Sequence, residues 1–127
     1  MLTNDKGDEM KNGLKITPAG EVTVIDFTKP DELSALQDAV GGWVQAVDLN
    51  ENLSMWVNEE GKMIGLEHNP VAQMVWDMTF GEGTDYIVGT VVLTGTPDLD
   101  GETRGLEAEV IESMQEFMGI VQTFSRL

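Results

Sequence analysis

The chain of 127 residues contains no cysteine, few basic residues and no long apolar segment. Without cysteine it forms no disulfides and no thiolate metal sites, and it has no thiol nucleophile. Its apolar runs are far shorter than the roughly 20 residues that span a bilayer, and its first residues lack the basic start and apolar stretch of a signal peptide. We therefore expect a cytoplasmic protein that does not enter a membrane.

Basic residues are strongly outnumbered, since 7 Lys and Arg face 23 Asp and Glu and give a net charge of −16. Proteins bind nucleic acid backbones and anionic membranes through clustered Lys and Arg, so neither is an expected direct partner. A basic protein, in contrast, would be attracted and would associate faster. A second interpretation is that the charge serves solubility alone, and the sequence leaves both open.

Apolar and polar residues alternate in a way that predicts one α+β domain at residues 14–127, after a mobile polar tail at residues 1–13. Two β-hairpins are expected, with turns at residues 18–20 and 50–52. If Leu49 lies opposite Leu53, the core face of the second hairpin carries Trp43, Val47, Leu49, Leu53, Met55 and Val57. Trp56 then points to the opposite face. The clearest strand covers residues 86–94.

Three helices are predicted, at residues 29–40, 70–79 and about 106–124. Thr28 is placed to cap the first helix, and Asn69 with Pro70 is placed to begin the second. The third helix is long and amphipathic, and it should pack on one face of a mostly antiparallel sheet. Its expected core row is Leu106, Val110, Met114, Phe117, Val121 and Phe124, and its expected outward acidic row is Glu109, Glu112 and Glu116.

The sequence offers no set of residues for catalysis or metal binding. His68 is the only histidine, and a metal site or a catalytic triad would need partners that the chain does not supply. Glu59 and Glu60 are neighbours in a turn and should point apart, whereas an acid/base pair must converge. We therefore predict a protein without enzymatic activity, metal or cofactor.

Five residues are the best candidates for binding a protein or a ligand. Tryptophan and methionine are favoured in interface cores and adaptable binding surfaces, which singles out Trp56, Trp76 and Met78. Lys62 and Arg104 are the best basic candidates for a phosphorylated ligand. For each of the five, an ordinary place in the core or on the surface is the competing interpretation.

The helix at residues 70–79 also predicts an assembly. It has apolar residues on two sides, so part of it, with Trp76 or Met78, is expected to lie against a second copy of the chain. The alternative is that the sheet and the C-terminal helix of the same chain cover both sides.

Residues 41–95 resemble the family catalogued as domain of unknown function 3846, whose members are small proteins found largely in bacteriophages and mobile elements. The resemblance rests on the order of Val40-Gly41-Gly42-Trp43, Asn58-Glu59-Glu60-Gly61-Lys62, Gly65-Leu66 with Asn69 and Ala72, and Ile87-Val88-Gly89-Thr90. It implies a phage or mobile-element origin, and so a location in the host cytoplasm. It supplies no activity.

Taken together, these features predict a small acidic binding protein that interferes with a host defence or regulatory protein. The partner is expected to be a host or phage protein, possibly a basic one. The first alternative is a sponge for a nucleotide signal, with a pocket at an oligomer interface that combines Lys62 or Arg104 with Trp56. The second alternative is an enzyme of unknown chemistry.

Overall fold

A computed structural model describes residues 11–28 and 32–125, apart from the side chains of Val121, Phe124 and Ser125. Most of the predicted tail and part of the predicted Thr28 cap lie outside these residues. The strands are β1 (Asn12–Ile16), β2 (Val22–Asp26), β3 (Val44–Asn50), β4 (Leu53–Asn58) and β5 (Val91–Thr94). The helices are α1 (Glu32–Val40), α2 (Pro70–Phe80) and α3 (Ala108–Ser125).

The five strands form one sheet in the order β2-β1-β5-β4-β3, and every neighbouring pair is antiparallel. β5 lies in the centre and is buried along its whole length. Its apolar side chains serve both faces, because Val91 and Leu93 pack on one side and Val92 packs on the other. The predicted α+β domain with a long C-terminal helix is confirmed.

The sheet is the middle of three layers. On one face, Leu36 and Val40 of α1 pack with Phe27 and Val92. On the other face, α2 and α3 share a larger core with the sheet, formed by Leu14, Ile16, Leu49, Met55, Val71, Ala72, Ile87, Val91, Leu93, Leu106, Ile111 and Met118. The face of the second hairpin that carries Trp56 is therefore covered in part: Val44 and Trp56 pack in the α1 layer, whereas Ala46 and Asp48 remain exposed.

Asn69 fixes the start of α2 against the sheet. Its side chain is fully buried, and its Oδ1 accepts a hydrogen bond from the Ala72 N–H at 3.0 Å, which is the predicted N-cap. Its Nδ2 donates to the carbonyl oxygens of Ile16 at 3.0 Å and Gly89 at 2.9 Å. Its own N–H donates to the Ile87 carbonyl. One residue thus joins α2, β1 and the segment before β5.

The second hairpin differs from the prediction at both ends. Leu53 pairs with Asn50 and not with Leu49, because a β-bulge between Asp48 and Asn50 inserts one residue. The bulge keeps Leu49 buried, as predicted. Trp43, expected in the core, is 66% exposed. Gln45, two residues along the same face, is exposed as well, so the helical layer does not reach this end of the hairpin.

The core row of α3 is also rotated from the prediction. Ile111 and Met118 are buried, whereas Val110 and Phe117 are 40% and 42% exposed. Successive residues lie about 100° apart around a helix axis. A shift of one position therefore moves the core-facing side from Val110 and Phe117 to Ile111 and Met118. Leu106 is buried as expected, but it precedes the helix.

The final strand is shorter than the predicted run over residues 86–94. Gly89 has a φ of +76°, which interrupts the extended backbone before β5. A Cβ atom at this position would lie 2.7 Å from the Leu66 side chain. Tyr86 therefore lies outside the sheet and is 57% exposed.

We predict that Asn69→Ala destabilises the fold by about 3 kcal/mol or more, because it leaves buried backbone groups without partners at roughly 1–3 kcal/mol each. Asn69→Asp keeps the cap acceptor but turns a carboxylate oxygen towards two carbonyl oxygens. Its loss of unfolding free energy at neutral pH should therefore be at least as large. Urea unfolding measures both. Asn52→Ala, at an exposed turn position, is the control, and equal stability of all three variants would contradict the role given to Asn69.

Candidate functional site

A cleft of about 150 Å³ lies between the β3–β4 end of the sheet, α2 and the segment before β5. Its floor includes Val47 and Val57, and its rim carries polar and aromatic side chains. Two residues predicted from the sequence, Lys62 and Trp76, line this cleft together. The cleft is smaller than the 300–1,000 Å³ typical of small-molecule sites, so within one chain it suits a single side chain.

Lys62 is neutralised at the cleft by Asp85. The Lys62 ammonium forms an ion pair with Asp85 Oδ1, and the same oxygen accepts the Tyr86 N–H at 2.7 Å. The hydrogen bond from Lys62 is the main cause that lowers the pKa of Asp85 below its ordinary value. Lys62 is consequently not a free cation for a phosphate group.

A polar network behind the cleft is centred on Gln73. Its Oε1 accepts the Ile87 N–H at 2.8 Å and lies 3.2 Å from His68 Nε2, and its Nε2 donates to Asp77 Oδ1 and to the Asp85 carbonyl, each at 2.9 Å. The His68 ring stacks on Tyr86 with centroids 4.4 Å apart. His68 therefore helps to position the segment before β5.

Trp76 closes the cleft on the side of α2. It is half-buried, and its indole N–H donates to Thr84 Oγ1 at 2.8 Å. Its ring packs against Phe80 with centroids 4.5 Å apart. One edge of Trp76 thus belongs to the core while another lines the cleft.

A second concave surface, which we call the α2–α3 groove, runs between the two helices. One part of about 270 Å³ is lined by Val75, Met78, Met114 and Phe117. A separate cavity of about 890 Å³ shares Leu53 and Met114 with it and lies between α3, the β3–β4 turn and residues 104–107. Met78, a predicted binding residue, is 68% exposed at this groove.

Two parallel rows follow the outer surface of α3. The exposed apolar row consists of Val110, Phe117 and Ile120, which is 50% exposed, and it has helical spacing. The acidic row is the one predicted from the sequence, and all its members are exposed: Glu109, Glu112 and Glu116. By helical spacing the acidic row follows Ile120 around α3, on the side of the helix away from Met114.

Arg104 and Trp56 are held by contacts within the fold. The Arg104 guanidinium donates to the Thr96 carbonyl at 2.9 Å, to Thr96 Oγ1 at 2.6 Å and to the Glu51 carbonyl at 3.4 Å. It thereby anchors the loop before α3. Trp56 packs on the α1 side of the sheet and donates to Thr94 Oγ1 at 2.8 Å. Neither residue lies at the cleft with Lys62 and Trp76.

The sequence interpretation did not single out Gln73, Asp85 or Tyr86. A signal was present for Gln73, because it is one of the few polar residues in an otherwise apolar helix. Asp85 and Tyr86 carried no such signal, since their contacts depend on how the chain returns to β5. In the described ranges, no three His, Cys, Asp or Glu side chains come together as a possible metal site. No helix there is long and apolar enough to cross a membrane.

A family model described as Domain of unknown function (DUF3846) matches residues 10–119. The chain belongs to this family. The match reaches beyond residues 41–95 and takes in the first hairpin, α1 and the first two-thirds of α3. No curated protein and no solved structure matches the sequence.

We predict that Lys62→Gln raises the pKa of Asp85 in this DUF3846 protein, because it removes the hydrogen bond that favours the carboxylate. A lowered folded-state pKa stabilises the fold above the unfolded-state pKa, and this contribution disappears as pH falls through the folded-state value. Since the pair is exposed, the stability difference at neutral pH should be about 1 kcal/mol or less.

Carboxyl-carbon NMR titration of Asp85 measures the shift, with Lys15→Gln as a control that removes the same charge from β1. An unchanged titration of Asp85 in Lys62→Gln would contradict the assignment.

Proposed function

We propose that this protein is a non-catalytic binding protein that occupies a protein partner through its α2–α3 groove. The observation that carries the proposal is the exposed apolar row of α3, from which Phe117 lines the groove together with the exposed Met78. Contiguous exposed apolar surface of this kind marks interaction sites in soluble proteins. Its methionines can adapt to the shape of a partner.

Charge defines the chemistry of the partner. Glu109, Glu112 and Glu116 are exposed on α3, and the whole chain carries a net charge of −16. A complementary segment has an apolar stripe flanked by Lys and Arg, and an amphipathic helix with basic edges meets this requirement. A second copy of the chain would bring acidic surfaces together and is the less favoured occupant.

We further propose that the protein derives from a phage or mobile element and acts in the host cytoplasm on a defence or regulatory protein. Support for this comes from the sequence resemblance described above, together with the acidic surface. A binder that occupies a host protein needs contact area and charge but no catalytic residues, which agrees with the lack of any predicted catalytic set.

The ligand-sponge alternative ranks lower. Lys62 and Trp76 do line one cleft, but its volume of about 150 Å³ is below that of ordinary ligand pockets. The Lys62 cation is paired with Asp85, and Trp56 lies on the other face of the sheet. A nucleotide site would need additional pocket-lining residues from a second copy of the chain.

We predict that Phe117→Glu abolishes capture of the partner from bacterial lysate, because an unpaired charge in an apolar interface is costly. Leu33→Glu is the matched control, since Leu33 is 55% exposed on α1 in the opposite layer, and it should capture the partner normally. Quantitative pull-down with mass spectrometry compares the two. Equal capture by both variants would overturn the groove as the binding surface.

Salt and oligomeric state separate the remaining possibilities. Association with the captured partner should slow as salt rises, because charges farther apart than about 8 Å are screened at physiological ionic strength. Changing Glu109, Glu112 and Glu116 together to glutamine should remove much of that salt dependence.

If light scattering instead finds a dimer that Met78→Glu splits, a second copy occupies the groove.

A further inference from the structure

β3 is a free edge of the sheet that lies directly beside the cleft. It is the last strand in the order β2-β1-β5-β4-β3, and among the described residues it pairs with β4 alone. Two of its residues, Gln45 and Val47, line the cleft. Trp43, which precedes the strand and is 66% exposed, falls on the same face by alternation.

The backbone groups that point away from β4 can be identified. The Trp43 carbonyl accepts the Glu59 N–H at 2.8 Å, so residues 43, 45 and 47 direct their hydrogen bonds towards β4. In an antiparallel pair, every second residue directs its N–H and C=O groups towards the partner strand. Val44, Ala46 and Asp48 therefore direct these groups outward. These groups meet no partner within the described residues.

Sheet edges are usually protected against pairing with other chains. Proline, charged side chains, β-bulges, short length or a covering element serve this purpose. β3 has no proline and no lysine, its only charged residue is Asp48, and its bulge lies at the end between Asp48 and Asn50. Residues 44–47 therefore form a regular edge without these devices, and such an edge next to a cleft is the arrangement by which binding domains add an extended peptide to their sheet.

We propose that the edge of β3 binds an extended segment of a partner protein as a sixth strand, and that the cleft takes a Lys or Arg side chain of that segment. This surface is separate from the α2–α3 groove. Backbone hydrogen bonds to Val44, Ala46 and Asp48 hold the added strand. Alternate side chains of that strand point towards the cleft, and these give the sequence preference.

The cleft selects a cation for two reasons. Asp85 is occupied by Lys62, but Glu59 also lines the cleft and has no ion pair within the described part of the chain. Trp76 and Tyr86 also line the cleft, and aromatic rings attract cations. Asp48 adds a negative charge at the edge itself, on the face away from the cleft, and this charge disfavours pairing of β3 with the β3 of a second acidic copy.

The sheet provides its own control for a test, because β2 is the opposite edge. The Phe27 N–H donates to the Lys11 carbonyl, so by alternation residues 23 and 25 also bond to β1, and Val24, which lies between them, points its N–H away from β1. Ala46→Pro and Val24→Pro therefore remove one outward N–H from each edge, and neither removes a hydrogen bond of the sheet. Thermal unfolding of both variants establishes that they fold.

A displayed library of short random peptides is selected on the full chain, and enriched peptides are synthesised for titration calorimetry. We expect alternating β-forming sequences with one Lys or Arg. Their affinity should fall roughly tenfold or more, which is about 1.4 kcal/mol or more, on Ala46→Pro, because the substitution removes a hydrogen bond and blocks close approach. Affinity should be unchanged on Val24→Pro and Phe117→Glu. Glu59→Gln should weaken the preference for the basic residue.

Peptides that bind Ala46→Pro as well as the unmodified chain would overturn the edge site, and so would a selection that enriches none. Loss of binding on Phe117→Glu would assign the peptides to the α2–α3 groove instead. Enriched peptides without a basic residue would overturn the role of the cleft.

Discussion

Asn69 connects three segments that are far apart in the sequence, and the arrangement of α2 depends on it. Its fully buried side chain caps the helix through the Ala72 N–H and donates to the carbonyls of Ile16 and Gly89. A buried amide is stable only when its donors and acceptor are satisfied, and here all are. The helix can therefore begin at one place and in one direction only.

The position of α2 determines the shape of both proposed binding surfaces. From this start, Gln73 faces the segment before β5 and bonds to Ile87 and Asp85, which shapes the cleft wall. The opposite side of the same helix leaves Met78 exposed across from α3. One buried cap thus sets the cleft beside β3 and the width of the α2–α3 groove.

Local signals were sufficient for most of the fold. Asn69 followed by Pro70 predicted the start of α2, and Gly41 marked the end of α1, where it has a φ of +79°. The start and end of a helix depend on a few neighbouring residues, so they can be recognised in a single sequence. The alternation of apolar residues also assigned Leu49 and Met55 to the core correctly.

What the sequence could not determine depends on contacts between distant segments. α3 carries two adjacent apolar rows, so periodicity alone does not decide whether Ile111 or Val110 faces the core. Trp43 has the expected face, but no helix extends over it. The pairing of Lys62 with Asp85 joins residues 23 positions apart, and only the completed sheet brings them together.

The central claim is that a partner occupies the α2–α3 groove, and methionine-methyl NMR of the complex tests it most directly. The methionines sample separate regions: Met78 and Met114 line the groove, Met55 is fully buried in the core and Met63 is 81% exposed in the turn after β4. On addition of the captured partner, the account predicts large shifts of Met78 and Met114 and little change at Met55. A bound partner that leaves both groove methyls unshifted would contradict it.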